Sequence, residues 1–204
     1  MTPSDQSTQR GWGADYERDF YERPPDDVAR DLVGSLLVLY DKDTEVRALV
    51  VETEAYDGAN DAASHAYRGL TARNAVMFGP GGFLYVYLSY GIHWCMNVVT
   101  RGEGVASAVL LRGAEIVESR ESGTVMGAEL RGPGNLTRGL GVTGADNGRD
   151  CCASSGRRVA FCGQWIAPAG FRIGRSARIG ISHERDRLSR YFLEGHPAVS
   201  RHPT

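Results

Sequence analysis

Hydrophobic and polar positions change period several times along the chain, and each change marks an element. Val28, Leu32, Val33, Leu36 and Leu37 recur at helical spacing behind Pro24-Pro25-Asp26-Asp27, a helix-starting signal, so an amphipathic helix is predicted there. Leu36 to Tyr40 is a continuous apolar run of the kind a buried strand shows, and it contests Leu36 with that helix. A turn over Asp41 to Thr44 and a strand from Val46 to Tyr56 then complete a predicted antiparallel hairpin. Residues 57–82, rich in Gly, Asn, Asp and Arg, read as the longest loop, with one helical turn near Asp61 to His65.

Phe83 to Leu88 and Trp94 to Thr100 alternate around Ser89-Tyr90-Gly91-Ile92-His93, and Ala106 to Arg112 reads as a third strand ending in an arginine, which predicts a β-meander. A short helix at Ala114 to Arg120, a glycine-rich stretch (RGPGNLTRGLGV) and strands at Val159 to Phe161, Gly170 to Ile173 and Arg178 to Ile181 are expected beyond it. With neither an internal repeat nor a linker, the pattern predicts one domain over 15–204 behind a disordered polar tail at 1–14.

Two stretches carry residues that packing alone does not call for. In VETEAY, strand alternation sets Glu52, Glu54 and Tyr56 on one face and Val51, Thr53 and Ala55 on the other. Carboxylates two residues apart in a strand sit roughly 6.5 to 7 Å apart at the backbone, a separation that paired carboxylates use to hydrolyse glycosidic bonds. Glycoside hydrolysis is one open reading and a solvated polar face is the other. In FLYVYLSYGIHWCMNVV, Phe83, Tyr85 and Tyr87 share a face, while Tyr90 falls at the turn where a large aromatic finds no core. Flanked by Ile92, Tyr90 reads as a wedge for stacked rings.

Composition narrows the chemistry. The chain is 42% hydrophobic and 24% charged, and no apolar run approaches the length of about 20 residues that spans a bilayer, so a cytoplasmic protein is expected. Cys95, Cys151, Cys152 and Cys162 lack paired C-x-x-C spacing, so reduced thiols are expected rather than a metal site. Residues 1–111 hold 9 basic and 16 acidic side chains, net −7, whereas residues 112–204 hold 14 and 9, net +5, so an acidic partner prefers the second half. Lys42, in a predicted exposed turn, is the single lysine beside 22 arginines, so imine chemistry would have only Lys42 or the chain's own amino terminus to use.

Taken jointly, VETEAY, a histidine eleven residues after the second glutamate, ARN, MF-x-x-x-G, LYVY-x-x-YG-x-x-x-CMN, VLLR and ARIG resemble the alkyladenine (3-methyladenine) DNA glycosylases of the methylpurine type. The likeness runs from Phe20 to about Ser200. It implies a mixed α/β single domain with a curved antiparallel sheet and a protruding, DNA-inserting hairpin. It also implies a monofunctional glycosylase that flips alkylated or deaminated purines, such as 3-methyladenine, hypoxanthine and etheno-adenine, out of duplex DNA. No cofactor, metal or membrane is expected, and the protein is expected to act as a monomer.

By this resemblance Glu54 is the base that activates water and Arg112 its charged neighbour. Tyr56, His65 and Tyr87 wall the base pocket, Asn97 sets selectivity, Tyr90 fills the gap in the duplex, and Ile92 and His93 line the minor groove. Main chain near Ile179 helps hold the water, and Glu52 becomes structural, orienting an arginine or capping a backbone group. For Asn97 to join Tyr85 and Tyr87, the hairpin must pair Tyr87 with Cys95 and Tyr85 with Asn97, leaving a three-residue loop over Tyr90 to Ile92. The chain departs from relatives at Asn135, where many carry lysine, at His93, and after His183. Arg138, Arg172, Arg175 and Arg178 are candidates to supply the missing phosphate contact. A catalytically silent DNA-binding module of the same fold is the alternative.

Overall fold

The structure, a computed structural model, describes residues 13–42, 44–120, 125–163 and 171–200. Most of the expected tail at 1–14 therefore lies outside the described residues. The first elements among the described residues are the helices α1 (Arg18–Tyr21) and α2 (Pro25–Leu32). Pro25 opens α2 where its missing N–H costs nothing, and Asp26 and Asp27 suit the positive end of the helix. Val33 turns extended, so Leu36 belongs to the following strand.

Among the described residues nine strands form one curled antiparallel sheet: β1 (Leu36–Asp41), β2 (Thr44–Tyr56), β3 (Leu84–Ser89), β4 (His93–Thr100), β5 (Ser107–Ser119), β6 (Glu129–Arg131), β7 (Arg158–Cys162), β8 (Ile173–Ser176) and β9 (Arg190–Leu193). The order β3-β4-β5-β2-β1-β7 is extended by β6 on β5, β9 on β2 and β8 on β9. Val28, Ala29 and Leu32 of α2 are buried in the core with Val50, Val51, Val109 and Leu111 of the sheet. The Thr53 hydroxyl donates to the Ala29 carbonyl at 2.8 Å, which fixes that face of β2 toward α2 and turns Glu52 and Glu54 the other way.

Two irregularities in the β2–β5 ladder shape the site. Val51 has no partner between Val50↔Ala114 and Glu52↔Gly113, and Arg112 has none between Gly113 and Leu111. One extra residue in each strand bends both and re-aims the neighbouring side chains, a common device beside active sites. Arg112 is thereby delivered to the face that carries both glutamates. On its other edge, this half of β2 pairs with β9, matching Glu52 to Phe192 and Glu54 to Arg190.

The β3–β4 register is the one required to bring Asn97 to the tyrosines: Tyr87 faces Cys95, Tyr85 faces Asn97, and Ser89↔His93 leaves Tyr90 to Ile92 as the loop. Other expectations change. The expected helix at Ala114 to Arg120 is instead the second half of β5, where Ala114 and Ile116 alternate into the core and pair with β2 and β6. Asp61 to His65 is a series of turns, with 3-10 helices at Gly58–Asn60 and Ala75–Phe78 instead. The glycine-rich stretch contains α3 (Pro133–Gly139), again opened by proline. Arg178 to Ile181 is not a strand: its arginine is buried in an ion pair, and the strand that joins β2 is β9. The strand expected at Gly170 to Ile173 begins at Ile173 as β8, and Gly170 lies outside the described residues.

The C-terminal segment packs over the bulge because residue 113 is glycine. A Cβ there would stand 2.6 Å from the Ala198 carbonyl oxygen and 3.2 Å from Glu52 Cβ. Gly113→Ala is expected to lower stability by about 1–3 kcal/mol; urea unfolding followed by circular dichroism measures it.

Candidate active site

Both glutamates of VETEAY are fully buried, at 0% exposure, so the polar face does not meet solvent. Each carboxylate has its own donors. Glu54 Oε1 accepts the Ile179 amide at 2.7 Å, and Oε2 accepts the Tyr56 hydroxyl at 2.9 Å and Arg112 at 3.3 Å. Glu52 accepts Arg112 Nε at 3.1 Å, Arg190 Nε at 2.7 Å, and the amide and hydroxyl of Ser200 at 2.6 and 2.9 Å. Arg112, 7% exposed, is the group they share.

The two acids are driven apart. Burial raises the Glu54 carboxyl above its ordinary range, and Arg112, the Ile179 amide and the Tyr56 hydroxyl only partly offset it. For Glu52 burial pushes the same way, but Arg112, Arg190 and the Ser200 amide outweigh it and the carboxyl falls below its usual value. The opposite shifts leave Glu54 the more basic of the two neighbouring carboxylates. Glu52 thus orients an arginine and caps a backbone amide.

In front of this cluster lies a cleft of about 990 Å³ lined by Tyr56, His65, Tyr85, Tyr87, Asn97 and Arg112 among others. Glu54 sits just behind the lining, reached past Tyr56, Arg112 and Ile179. Tyr85 and Tyr87 stack with ring centroids 5.4 Å apart, and His65 meets Tyr87 edge-on at 4.6 Å. His65 Nδ1 and the Tyr85 hydroxyl are 3.0 Å apart, which fixes the imidazole. Although His65 is exposed, desolvation of the ring beside the tyrosines and the nearby Arg73 lower its pKa below the ordinary imidazole value. Asn97 is buried and donates its amide to the Tyr85 carbonyl at 2.9 Å.

At the hairpin tip the side chains point away from any core. Tyr90 is 90% and Ile92 79% exposed, and Tyr90 adopts φ +51°, a left-handed conformation unusual for an aromatic residue. His93 differs: its ring lies on α3, where a Cβ added to Gly134 would stand 2.7 Å from it.

Sequence reasoning missed several supports. Arg178 forms a fully buried pair with Asp61, one contact being 2.8 Å, and lies 4.5 Å over the Tyr56 ring. It is thereby removed from the candidate phosphate contacts. Arg172 pairs with Glu194 at 2.9 Å, and Arg175 bonds the Leu188 carbonyl. Arg138 is exposed, 2.8 Å from Asn135 Oδ1. Asn74 braces the long loop by donating to the carbonyls of His65 and Gly69 at 2.9 and 3.0 Å. ARN and ARIG flagged Asn74 and Arg178 as motif members, whereas Asp61, Arg190 and Ser200 carry no local signal.

The described residues thus set a buried acid–arginine cluster behind an aromatic cleft, with an exposed aromatic at the tip of the β3–β4 hairpin. The sequence profile of the methylpurine-DNA glycosylase (MPG) family matches residues 19–197, and the chain belongs to that family, whose members are enzymes of DNA repair. Among its relatives, a Streptomyces avermitilis protein is 43% identical over 192 residues, 90% of this chain and 89% of its own. A Methanocella arvoryzae protein is 41% identical over 194 residues, covering 90% and 94%. A Frankia casuarinae protein is 45% identical over 195 residues, covering 89% and 90%. Each bears the name "Putative 3-methyladenine DNA glycosylase".

Breaking the Asp61–Arg178 pair from one side leaves a buried guanidinium without its carboxylate. Asp61→Ala is expected to cost about 3–5 kcal/mol, read as a lowered thermal midpoint.

Proposed function

We propose that the protein hydrolyses the N-glycosidic bond of alkylated or deaminated purines in duplex DNA, with water activated by Glu54. The observation that carries this reading is a fully buried carboxylate, raised in pKa, held by three donors directly behind an aromatic cleft. A base within a duplex is out of reach, so it must be extruded at a cost of a few kcal/mol, least where damage has weakened its pairing. Stacking on aromatic rings is worth about 1–3 kcal/mol per base, and Tyr56 and Tyr87 offer such faces in the cleft. Tyr90, exposed and held in a strained tip, suits the gap the base leaves. Asn97, its amide tied to the Tyr85 carbonyl, offers a fixed steric check on the ring that enters.

In the chemical step the bond from the sugar C1′ to the base nitrogen breaks, and the base leaves with the electron pair. Water oxygen bonds to C1′ and gives its proton to Glu54. Ile179 occupies one acceptor direction of Oε1, leaving that oxygen capacity for one water proton. Arg112 offsets the carboxylate charge. Lys42, the single lysine, sits in an exposed turn away from the cleft lining, which favours water over a lysine imine as the nucleophile and release of the base without a lyase step. One copy carries the carboxylate, cleft and hairpin tip, so a monomer suffices.

Glu54→Gln is expected to bind lesion-containing duplex and to lose base release by about 10²-fold or more, measured in single-turnover assays. Tyr90→Ala should weaken extrusion, seen as reduced fluorescence change of a base analogue beside the lesion, with less effect on pocket geometry. The raised pKa also has a sign. Glu54 accepts a proton only when ionised, so the rate should fall about tenfold per unit as pH drops through its pKa, and that acid limb should be centred above the ordinary 4.5. A limb centred at or below 4.5 would contradict the assignment.

A further inference from the structure

Glu52 receives four hydrogen bonds in a site with 0% exposure, two from arginines and two from one residue, Ser200. Each nitrogen of the Arg112 guanidinium has a different partner: Nε meets Glu52, Nη1 meets Glu54, and Nη2 meets the Ser200 hydroxyl at 3.4 Å. The serine is carried into place by buried Ala198 and Val199, whose segment passes over the sheet at Gly113. Arg190 reaches Glu52 from β9 and also donates to the Ser176 hydroxyl at 3.0 Å, tying β8 into the same cluster. A guanidinium fixed on three sides cannot swing toward or away from Glu54.

We infer that Ser200 and Glu52 are positioning residues for base release: together they lock Arg112 so that one arm, and only part of its charge, is presented to Glu54. This rests on the reading of Glu54 as the proton acceptor. Without the lock Arg112 has Glu54 as its remaining carboxylate partner among the described residues. The arginine would then pair with the base instead of sharing its charge with a counter-ion. The charged and titratable groups facing Glu54 are Arg112 from β5, Glu52 and Tyr56 from β2, Arg178 from the loop before Ile179, and Arg190 from β9. Arg178 is compensated by Asp61 and Arg190 by Glu52, so Arg112 is the cation whose balance the lock sets. The negative charge of Glu52 works in the same direction as burial, resisting ionisation of Glu54.

The test is single-turnover release of hypoxanthine from a duplex oligonucleotide across pH, with binding of the same duplex measured separately. Ser200→Ala, which removes the hydroxyl's bonds to Glu52 and to Arg112, is expected to lower the plateau rate about tenfold, with affinity for the duplex unchanged. Ser200→Thr, which keeps the hydroxyl, should stay within about threefold of wild type. Glu52→Gln should move the acid limb of the rate profile to lower pH, because the charge opposing ionisation of Glu54 is gone. A purely structural role would leave that limb where it is. Should Glu52→Gln not fold, the two serine variants decide the matter alone. A wild-type rate in Ser200→Ala, or a loss that Ser200→Thr fails to restore, overturns the inference. Glu54→Gln in the same assay separates the two readings. If it releases base at the wild-type rate, the acceptor assignment falls and this inference with it; if it is inactive while Ser200→Ala is unaffected, this inference alone falls.

Discussion

The contact on which the site depends is Arg112 bridging two buried carboxylates, Glu52 at 3.1 Å and Glu54 at 3.3 Å. Two ionised acids in neighbouring positions of a dry strand could not coexist without a cation between them. Once the arginine is present it need not treat them equally. Glu52 also holds Arg190 and Ser200, whereas Glu54 holds only neutral donors besides Arg112. That inequality is what lowers one pKa and raises the other.

The fold exists in this form to make the bridge possible. A regular β2–β5 ladder would give Arg112 a cross-strand partner and a fixed side; the unpaired residues Val51 and Arg112 bend the strands and turn the guanidinium inward. The sheet curls, β9 and the C-terminal segment close over the back of the cluster, and the β3–β4 hairpin presents its tyrosines in front. The carboxylate therefore sits between a sealed side and an open aromatic side. Sealing raises its basicity, and the opening is walled by the rings of Tyr56, Tyr85 and Tyr87.

Much of this was legible in the residues. Period-two alternation in β2 sorted Glu52, Glu54 and Tyr56 from Thr53, and the hairpin register followed from the family resemblance, which asks for Asn97 beside Tyr85 and Tyr87. What alternation could not reveal was burial, because a face of Glu and Tyr looks solvated until another segment covers it. Asp61–Arg178 and Glu52–Ser200 pair residues 117 and 148 positions apart, and no local pattern encodes such distances. Ala114 to Arg120 misled for a related reason: Glu and Ala favour helix locally, and pairing with β2 and β6 overrode that preference. Arg178 to Ile181 has the apolar alternation of a strand, yet its arginine is spent on Asp61 and its Ile179 amide on Glu54.

The central claim is that the cleft in front of Glu54 releases a damaged purine by attack of water. Its most direct test is to mix excess wild-type protein with duplex oligonucleotides containing hypoxanthine, etheno-adenine or 3-methyladenine and to quantify free base together with strand integrity. The account predicts free base from at least one lesion and an intact strand bearing an abasic sugar. Binding of the same duplexes with no base released, or strand scission concurrent with release, would contradict it.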